Sequence, residues 1–395
     1  MSSVNRRNFL KASGTVMLPA LVPAIATASP ASNNKTVHAD ESIIKFFYDG
    51  EFFSPAMYIE ELQKINSKQS IERDVYGQGG AVTALEKKFA SITGKAKAIF
   101  LPSGTMANQL AIAVLSGNNT KVFVQDESHV YRDEADAAQS VFQKRLMPLA
   151  KGKTYFTAAE LTSAVEALQE EEVFPSGIGA VSIENPVRRM NGRMIPLDEI
   201  KKISAYCKSK QLKLHLDGAR LYMASAWSGV TIKEYASFFD TIYISLYKYL
   251  GAAGGAILCG DASVIDQIPH LVKIHGGSIF GNWTNAAMVL HRMEGLETRL
   301  QESVKQANHL FTTLNKTKLI TVTALEAGTN IYPVQFSNEV NGKRVKELLD
   351  KQYNIKIPQP NENNQTQFTV NETILYRDIA YIRNAFLETM NAAKS

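Results

Sequence analysis

Between residues 80 and 260 the apolar positions alternate between two spacings. In "VTALEKKFASITG" (82–94), Val82, Leu85, Phe89 and Ile92 fall on one face of a helix, and Gly94 marks its end. "KAIFLP" (97–102) is a short apolar run of strand type, and "GTMANQLAIAVLSG" (104–117) returns to helical spacing. Further strands are predicted at "KVFVQD" (121–126), "IGAVSIEN" (178–185), "LKLHLD" (212–217) and "DTIYISL" (240–246), with helical stretches around 157–170 and 197–210. Strands separated by helices in this way predict an α/β domain with a large, mixed but mostly parallel sheet. From about residue 283 a long helical segment leads to "TNIYPVQF", "GKRVKELLDKQY", "QFTVNET" and a last helix, a smaller α+β unit. No internal repeat or low-complexity tract interrupts the pattern. The expected organisation is a leader at 1–28, a polar linker at 29–45, a large domain at 46–282, and a linking helix with a small domain at 283–395.

In sheets of this kind ligands gather beyond the carboxyl ends of the strands. Four groups of polar residues fall there. "PSGTMAN" (102–108) follows a strand and opens a helix, so its backbone N–H groups, with Ser103 and Thr105, suit an anion such as phosphate. A plain N-cap is the simpler reading of Ser-Gly-Thr. His129, in "QDESHVYRDEADA" (125–137), is a planar ring and a base that titrates near neutral pH; it also fits a solvated loop histidine. Asp217 ends the buried strand of "LKLHLDGARL" (212–221), and a buried carboxylate needs a partner. Arg220, three residues on, is the simplest candidate. Lys248, in "SLYKYLGAAGGAIL" (245–258), sits among Leu246, Tyr247, Tyr249 and Leu250. It is either a snorkelling lysine or an amine made nucleophilic by desolvation.

One cofactor chemistry makes sense of all four. Pyridoxal 5'-phosphate needs an anion site for its phosphate, a lysine for its aldehyde, a planar group against its ring and a carboxylate at its pyridine nitrogen. Asp217 would then face the pyridine nitrogen, leaving Arg220 free to grip a substrate carboxylate with two hydrogen bonds.

At these residues the chain resembles the low-specificity threonine aldolase and β-eliminating lyase family of fold-type I pyridoxal phosphate enzymes. The resemblance runs from about Asp49 to the C-terminus and rests on "DVYGQGG", "LEKKFASITGKAKAIFLPSGTMANQLAI", "HVYRDEADA", "NGRMIPLDEI" and "LHLDGARLYMA", in the family's order. It implies that Gly104 and Thr105 bind phosphate, with Ser245 as a further phosphate ligand, and that His129 stacks on the ring. It also implies that Asp217 pairs with the pyridine nitrogen, Arg220 binds the substrate carboxylate and Lys248 carries the cofactor. The Gly-Gly pair at 276–277 resembles a loop that reaches a neighbouring subunit's cofactor, which implies a homodimer or homotetramer. The expected reaction is cleavage of a β-hydroxy-α-amino acid to glycine and an aldehyde, with His129, backed by Glu134, as the candidate base. Two positions depart from the family pattern. "IENPVRRMNG" has Pro186 and Val187 where the family has Thr-His, followed by Arg188 and Arg189, and "QFTVNET" lacks a second carboxylate-binding arginine, with Arg377 just downstream. The departures leave β-elimination, releasing ammonia and a keto acid, as the rival reaction, and a non-catalytic binding protein of the same fold as the rival class.

Composition narrows the remaining choices. The net charge is +5, of which Arg6, Arg7 and Lys11 supply three, leaving +2 for the rest; no basic run points to nucleic acid. The two cysteines form no CxxC, so they are expected as small core residues, and the seven histidines show no metal-ligand spacing. "NRRNFLKASG" (5–14) resembles a twin-arginine export signal. The stretch after it is too short and proline-broken to span a bilayer, and its small residues suit cleavage near Ala26 or Ala28. Export, with no stable membrane insertion, is the expectation.

Overall fold

The computed structural model describes residues 43–394. The leader and most of the linker lie outside the described residues. The strands in chain order are β1 (Ile44–Lys45), β2 (Lys97–Leu101), β3 (Lys121–Gln125), β4 (Arg145–Leu149), β5 (Ile178–Glu184), β6 (Lys213–Asp217), β7 (Thr241–Ser245), β8 (Ala256–Gly260), β9 (Ile320–Val322), β10 (Ile331–Phe336), β11 (Ile355–Lys356) and β12 (Gln365–Thr369). Strands β2 to β8 form one seven-stranded sheet in the order β2-β8-β7-β6-β5-β3-β4. Only β8 runs against the rest, pairing antiparallel with both β7 and β2. The fold is the α/β type expected, with the carboxyl ends of β2, β3, β5, β6 and β7 all on one edge.

Local chemistry accounts for the elements that place the site. The helix Gly80–Thr93 buries Val82, Leu85 and Phe89 and ends at Gly94, whose left-handed φ of 67° a side chain would strain. The helix Gly104–Ser116 buries Ala107, Leu110, Ala111 and Ile112, which leaves its N-terminus fixed at the end of β2. Strands β3 and β7 are buried along their whole length, as strands covered by helices on both faces must be.

The sequence reading passes over two strands of the sheet. Strand β4 contains Pro148 and is half-exposed, the marks of an edge strand with weak periodicity. Strand β8 is hidden inside the glycine-rich run read only as the setting of Lys248. The domain boundaries also shift. Ile44 and Phe46 are not linker or large-domain residues: β1 pairs with β11, and both side chains sit in the small lobe's core with Phe311, Phe368 and Phe386. The helix Trp283–Arg292, expected to link the domains, packs on the helices Pro55–Lys68 and Gly80–Thr93 of the large one. The strand in "QFTVNET" ends at Thr369, and a 3-10 turn begins at Glu372. The small lobe's sheet has the order β12-β10-β9. Cys207 and Cys259 are buried and unpaired. Among the described residues no helix is long and apolar enough to cross a membrane.

Candidate active site

The strand ends enclose a cavity of about 230 Å³ lined by Ser103, Gly104, Thr105, His129, Glu134, Glu184, Asp217, Tyr243, Tyr247 and Lys248 among others. Six of the eight site residues named from the sequence line this one space. Ser245, at the carboxyl end of β7, and Arg220, a charge neighbour of Lys248, are not among the lining residues.

Each side chain has a distinct environment. Asp217 is buried, and both its oxygens accept: Oδ2 from Asn108 Nδ2 at 2.9 Å and Oδ1 from the backbone N–H of Ala219 at 3.1 Å. Arg220 is not its partner. The Arg220 Nε donates to Asp49 Oδ2 at 2.8 Å, a bond across 171 residues. A carboxylate facing two N–H donors is satisfied without an arginine, so burial did not force the local pair. Asp49 is held in turn from the small lobe by Asn330, 3.5 Å away.

His129 enters the cavity half-exposed, with Nδ1 3.0 Å from Glu134 Oε1. That hydrogen bond holds the imidazole's pKa above its ordinary value, against the opposing pull of burial. Burial, helped by the charge of Asp217, raises Glu134. Glu184 is fully enclosed and is pushed up to about 7 by burial first and by Asp217 second. Its oxygens accept from the backbone N–H of His129 at 2.7 Å and of Arg188 at 2.9 Å. The ligand atoms of His129, Glu134 and Asp217 lie within 4.8 Å of one another, close enough to suggest a cation site. The two carboxylates, however, both face the amide donor of Asn108.

Ser103 caps its helix, its Oγ accepting from Met106 N at 3.2 Å, so the N-cap reading holds for the side chain. The amides of Gly104 and Thr105 belong to the first turn and have no acceptor within the helix. A Cβ at Gly104 would lie 2.1 Å from Tyr243 Oη, so only glycine lets β7 approach the helix this closely. Ser245 Oγ is buried with no hydrogen-bond partner, an orphan that a ligand oxygen would satisfy. Lys248 is pulled down to about 8, by burial first and by the neighbouring Arg220 second.

The lysine's depressed pKa has a measurable consequence. Between about 8 and its ordinary 10.5 the unfolded chain binds the Lys248 proton and the folded chain does not. Stability of the cofactor-free protein therefore rises with pH across that window, by up to about 3 kcal/mol, and the gain is lost again on descending to pH 8. Lys248→Met is expected to flatten this slope. Urea unfolding at several pH values compares the two proteins, and an equal slope in both would remove the lysine as its source.

Arg188 and Arg189 do not line the cavity. Arg189 makes two hydrogen bonds to Asp133, at 2.9 and 2.6 Å, and Arg188 lies 3.6 Å from the same carboxylate. Arg377 is exposed and borders none of the site. Asp49, Asn108 and Glu184 were not singled out by sequence reasoning. Glu184 could have been, because it ends a strand as Asp217 does; Asn108 and Asp49 carried no signal beyond their place in matching motifs.

An α/β fold with a helix start whose first amides lack acceptors, a buried aspartate, a histidine and a desolvated lysine at the carboxyl ends of one sheet has the parts that a pyridoxal phosphate lyase of fold type I needs. The chain belongs to the β-eliminating lyase family, whose model matches residues 58–337. It is 30% identical over 285 residues to the low-specificity L-threonine aldolase of Candida albicans, covering 72% of this chain and 75% of that one. With the low specificity L-threonine aldolase of Saccharomyces cerevisiae it shares 31% over 231 residues, 58% of this chain and 59% of the other, so under two thirds of that relative is spanned. The structure of Leishmania major threonine aldolase has the same fold, with a TM-score of 0.67 at 18% identity over 89% of this chain and 99% of that one.

Proposed function

We propose that this protein cleaves a β-hydroxy-α-amino acid of the threonine type to glycine and an aldehyde, using pyridoxal phosphate. The observation that carries the reading is the convergence on one cavity of Lys248, Asp217, His129 and the helix start at Gly104. The names of the aldolases to which the chain is similar support the substrate class.

The residues present fit the cofactor. Lys248 would hold its aldehyde, Asp217 would face its pyridine nitrogen, and His129 would lie against its ring. The amides of Gly104 and Thr105, with Ser103 and the partnerless Ser245 hydroxyl, would hold its phosphate. When bound, the cofactor supplies the sink for the electron pair released when the Cα–Cβ bond breaks. Arg220, its Nε tied to Asp49, keeps both terminal NH2 groups for the substrate carboxylate. His129 takes the β-hydroxyl proton, directly or through a water, and Glu134 orients the imidazole through Nδ1. The Lys248 amine, its pKa drawn down to about 8 by burial, exchanges protons at Cα.

The acid limb of kcat/KM should then follow protonation of His129 and lie above the ordinary value of a free histidine. Glu134→Gln removes the bond that raises it, so the limb is expected to move to lower pH, with kcat down roughly tenfold to a hundredfold. An unmoved limb would take the base role away from His129.

Protein lacking residues 1–28 and loaded with cofactor is given L-threonine, L-allo-threonine and L-serine separately. Glycine with acetaldehyde or formaldehyde supports the aldolase. Ammonia with a keto acid supports the second reading, β-elimination, which the absence of a histidine at Pro186 and Val187 favours, since elimination needs no base at a β-hydroxyl. No product from any of them would leave the non-catalytic binding protein.

Two further readings concern the assembly and its location. Exposed Val75, Tyr76, Ile274, Ile279 and Phe280 lie on two segments that pack together through the Tyr76 N–H to Phe280 carbonyl bond. Gly277 between them rests on Met106, two residues past the cavity's Gly104. This apolar face beside the cavity supports a homodimer or homotetramer, which light scattering would measure. The "NRRNFLKASG" leader supports twin-arginine export, and a Lys-Lys replacement of Arg6 and Arg7 should hold the protein in the cytoplasm.

A further inference from the structure

Asn108 spends every hydrogen-bonding atom of its side chain inside the protein. Its NH2 group donates to Asp217 Oδ2 at 2.9 Å and to Glu134 Oε1 at 2.7 Å, and its Oδ1 lies 3.0 Å from His215 Nε2. The other ring nitrogen of His215 is 2.8 Å from Thr241 Oγ1. All five side chains are buried. They come from the helix Gly104–Ser116, from β6, from β7 and from the turn after His129. None of them except Asp217 and Glu134 touches the cavity.

The chemistry fixes each partner's orientation. Two carboxylates can approach one amide only through its NH2, so the carbonyl must face His215. His215 must then carry its proton on Nε2, and Nδ1 accepts from the Thr241 hydroxyl. Burial draws the His215 pKa down to about 4, which suits a neutral ring. Turning the amide over would put its carbonyl oxygen between two carboxylates and its NH2 against a nitrogen that carries a proton in one tautomer only.

We propose that Asn108 is a positioning residue that clamps the site's two carboxylates, Asp217 and Glu134, with His215 and Thr241 as its buried anchor. The clamp links the carboxylate facing the cofactor's pyridine nitrogen to the one that orients His129, so it sets two functional bearings from one amide. The inference rests on the cofactor reading above for its functional consequence and on the hydrogen bonds alone for its geometry.

The test has a part that needs no cofactor. In the unloaded wild type, long-range nitrogen–proton NMR of the His215 ring should show the Nε2–H tautomer from pH 5.5 to pH 8. The Nδ1–H tautomer would mean a reversed amide and overturn the clamp. The second part measures pyridoxal phosphate affinity, by quenching of protein fluorescence, for each variant relative to wild type at the same pH. Asn108→Ala should bind about tenfold more weakly at every pH, the worth of one hydrogen bond to a charged group. Asn108→Asp should bind at least a hundredfold more weakly at pH 8 and recover toward Asn108→Ala by pH 5.5, because the introduced carboxyl donates only when protonated. It would meet Asp217 and His215 on β6 and Glu134 in the turn after His129, with His129, Tyr243 and Glu184 the titratable groups around those two carboxylates. A residue that merely filled space would not give this pH-dependent ratio. Affinities within twofold of wild type for Asn108→Ala, or a pH-independent ratio for Asn108→Asp, would overturn the proposal. If Asn108→Asp does not fold, Asn108→Ala and the tautomer decide. A wild type that holds no pyridoxal phosphate would sink the lyase reading, and the tautomer would still judge the clamp.

Discussion

Lys248→Ala is expected to leave a folded, colourless protein whose kcat has fallen by at least about a thousandfold. Lys248 is both the residue that would hold the cofactor and the amine that would move the proton at Cα, so its loss removes two functions at once. The fold should survive, because burying this amine destabilises the cofactor-free protein at neutral pH. The visible absorption of wild type loaded with pyridoxal phosphate, its absence in the variant, and steady-state rates together form the measurement. A variant that keeps the wild-type colour and rate would place the chemistry on another amine.

Asp217→Asn is expected to cost on the order of a thousandfold in kcat/KM while changing the shape of the site very little. The amide loses the charge that would keep the pyridine nitrogen protonated. It also creates a local conflict. Asp217 accepts on both oxygens, from Asn108 Nδ2 and from Ala219 N. An asparagine has one acceptor oxygen, so either rotamer turns its NH2 toward one of these donors. One unsatisfied buried pair costs about 1–3 kcal/mol. Relief of the repulsion that Asp217 exerts on Glu134 and Glu184 offsets part of it. Kinetics with matched thermal melts separate the two effects; a variant with wild-type kcat/KM would remove Asp217 from the chemistry.

Much of the site could be read from the chain because each group is announced by its local context. A strand that ends in a carboxylate, a Ser-Gly-Thr before a helix and a lysine in an apolar run are each visible within about ten residues. The same locality explains what was missed. Strand β4 is half-exposed and holds a proline, so its pattern resembles a loop. Strand β1 has two residues, too few for any period, and is fixed by pairing with β11 more than 300 positions away. The partner of Arg220 lies 171 residues off, and the nearest carboxylate in sequence is not the nearest in space. Asn108 reads as one polar residue on a helix, and only the helix's seat over β6 and β7 shows what its amide holds.

The sequence by itself determined the α/β class, the helix and strand faces, and the residue types gathered at the strand ends, because side-chain period and capping chemistry are properties of short segments. The tertiary structure decided which charges pair, which amide clamps which carboxylates and how far the lysine's proton is destabilised. Those outcomes depend on burial and on distances between segments hundreds of residues apart, and a buried charge takes whichever donor the fold brings within reach.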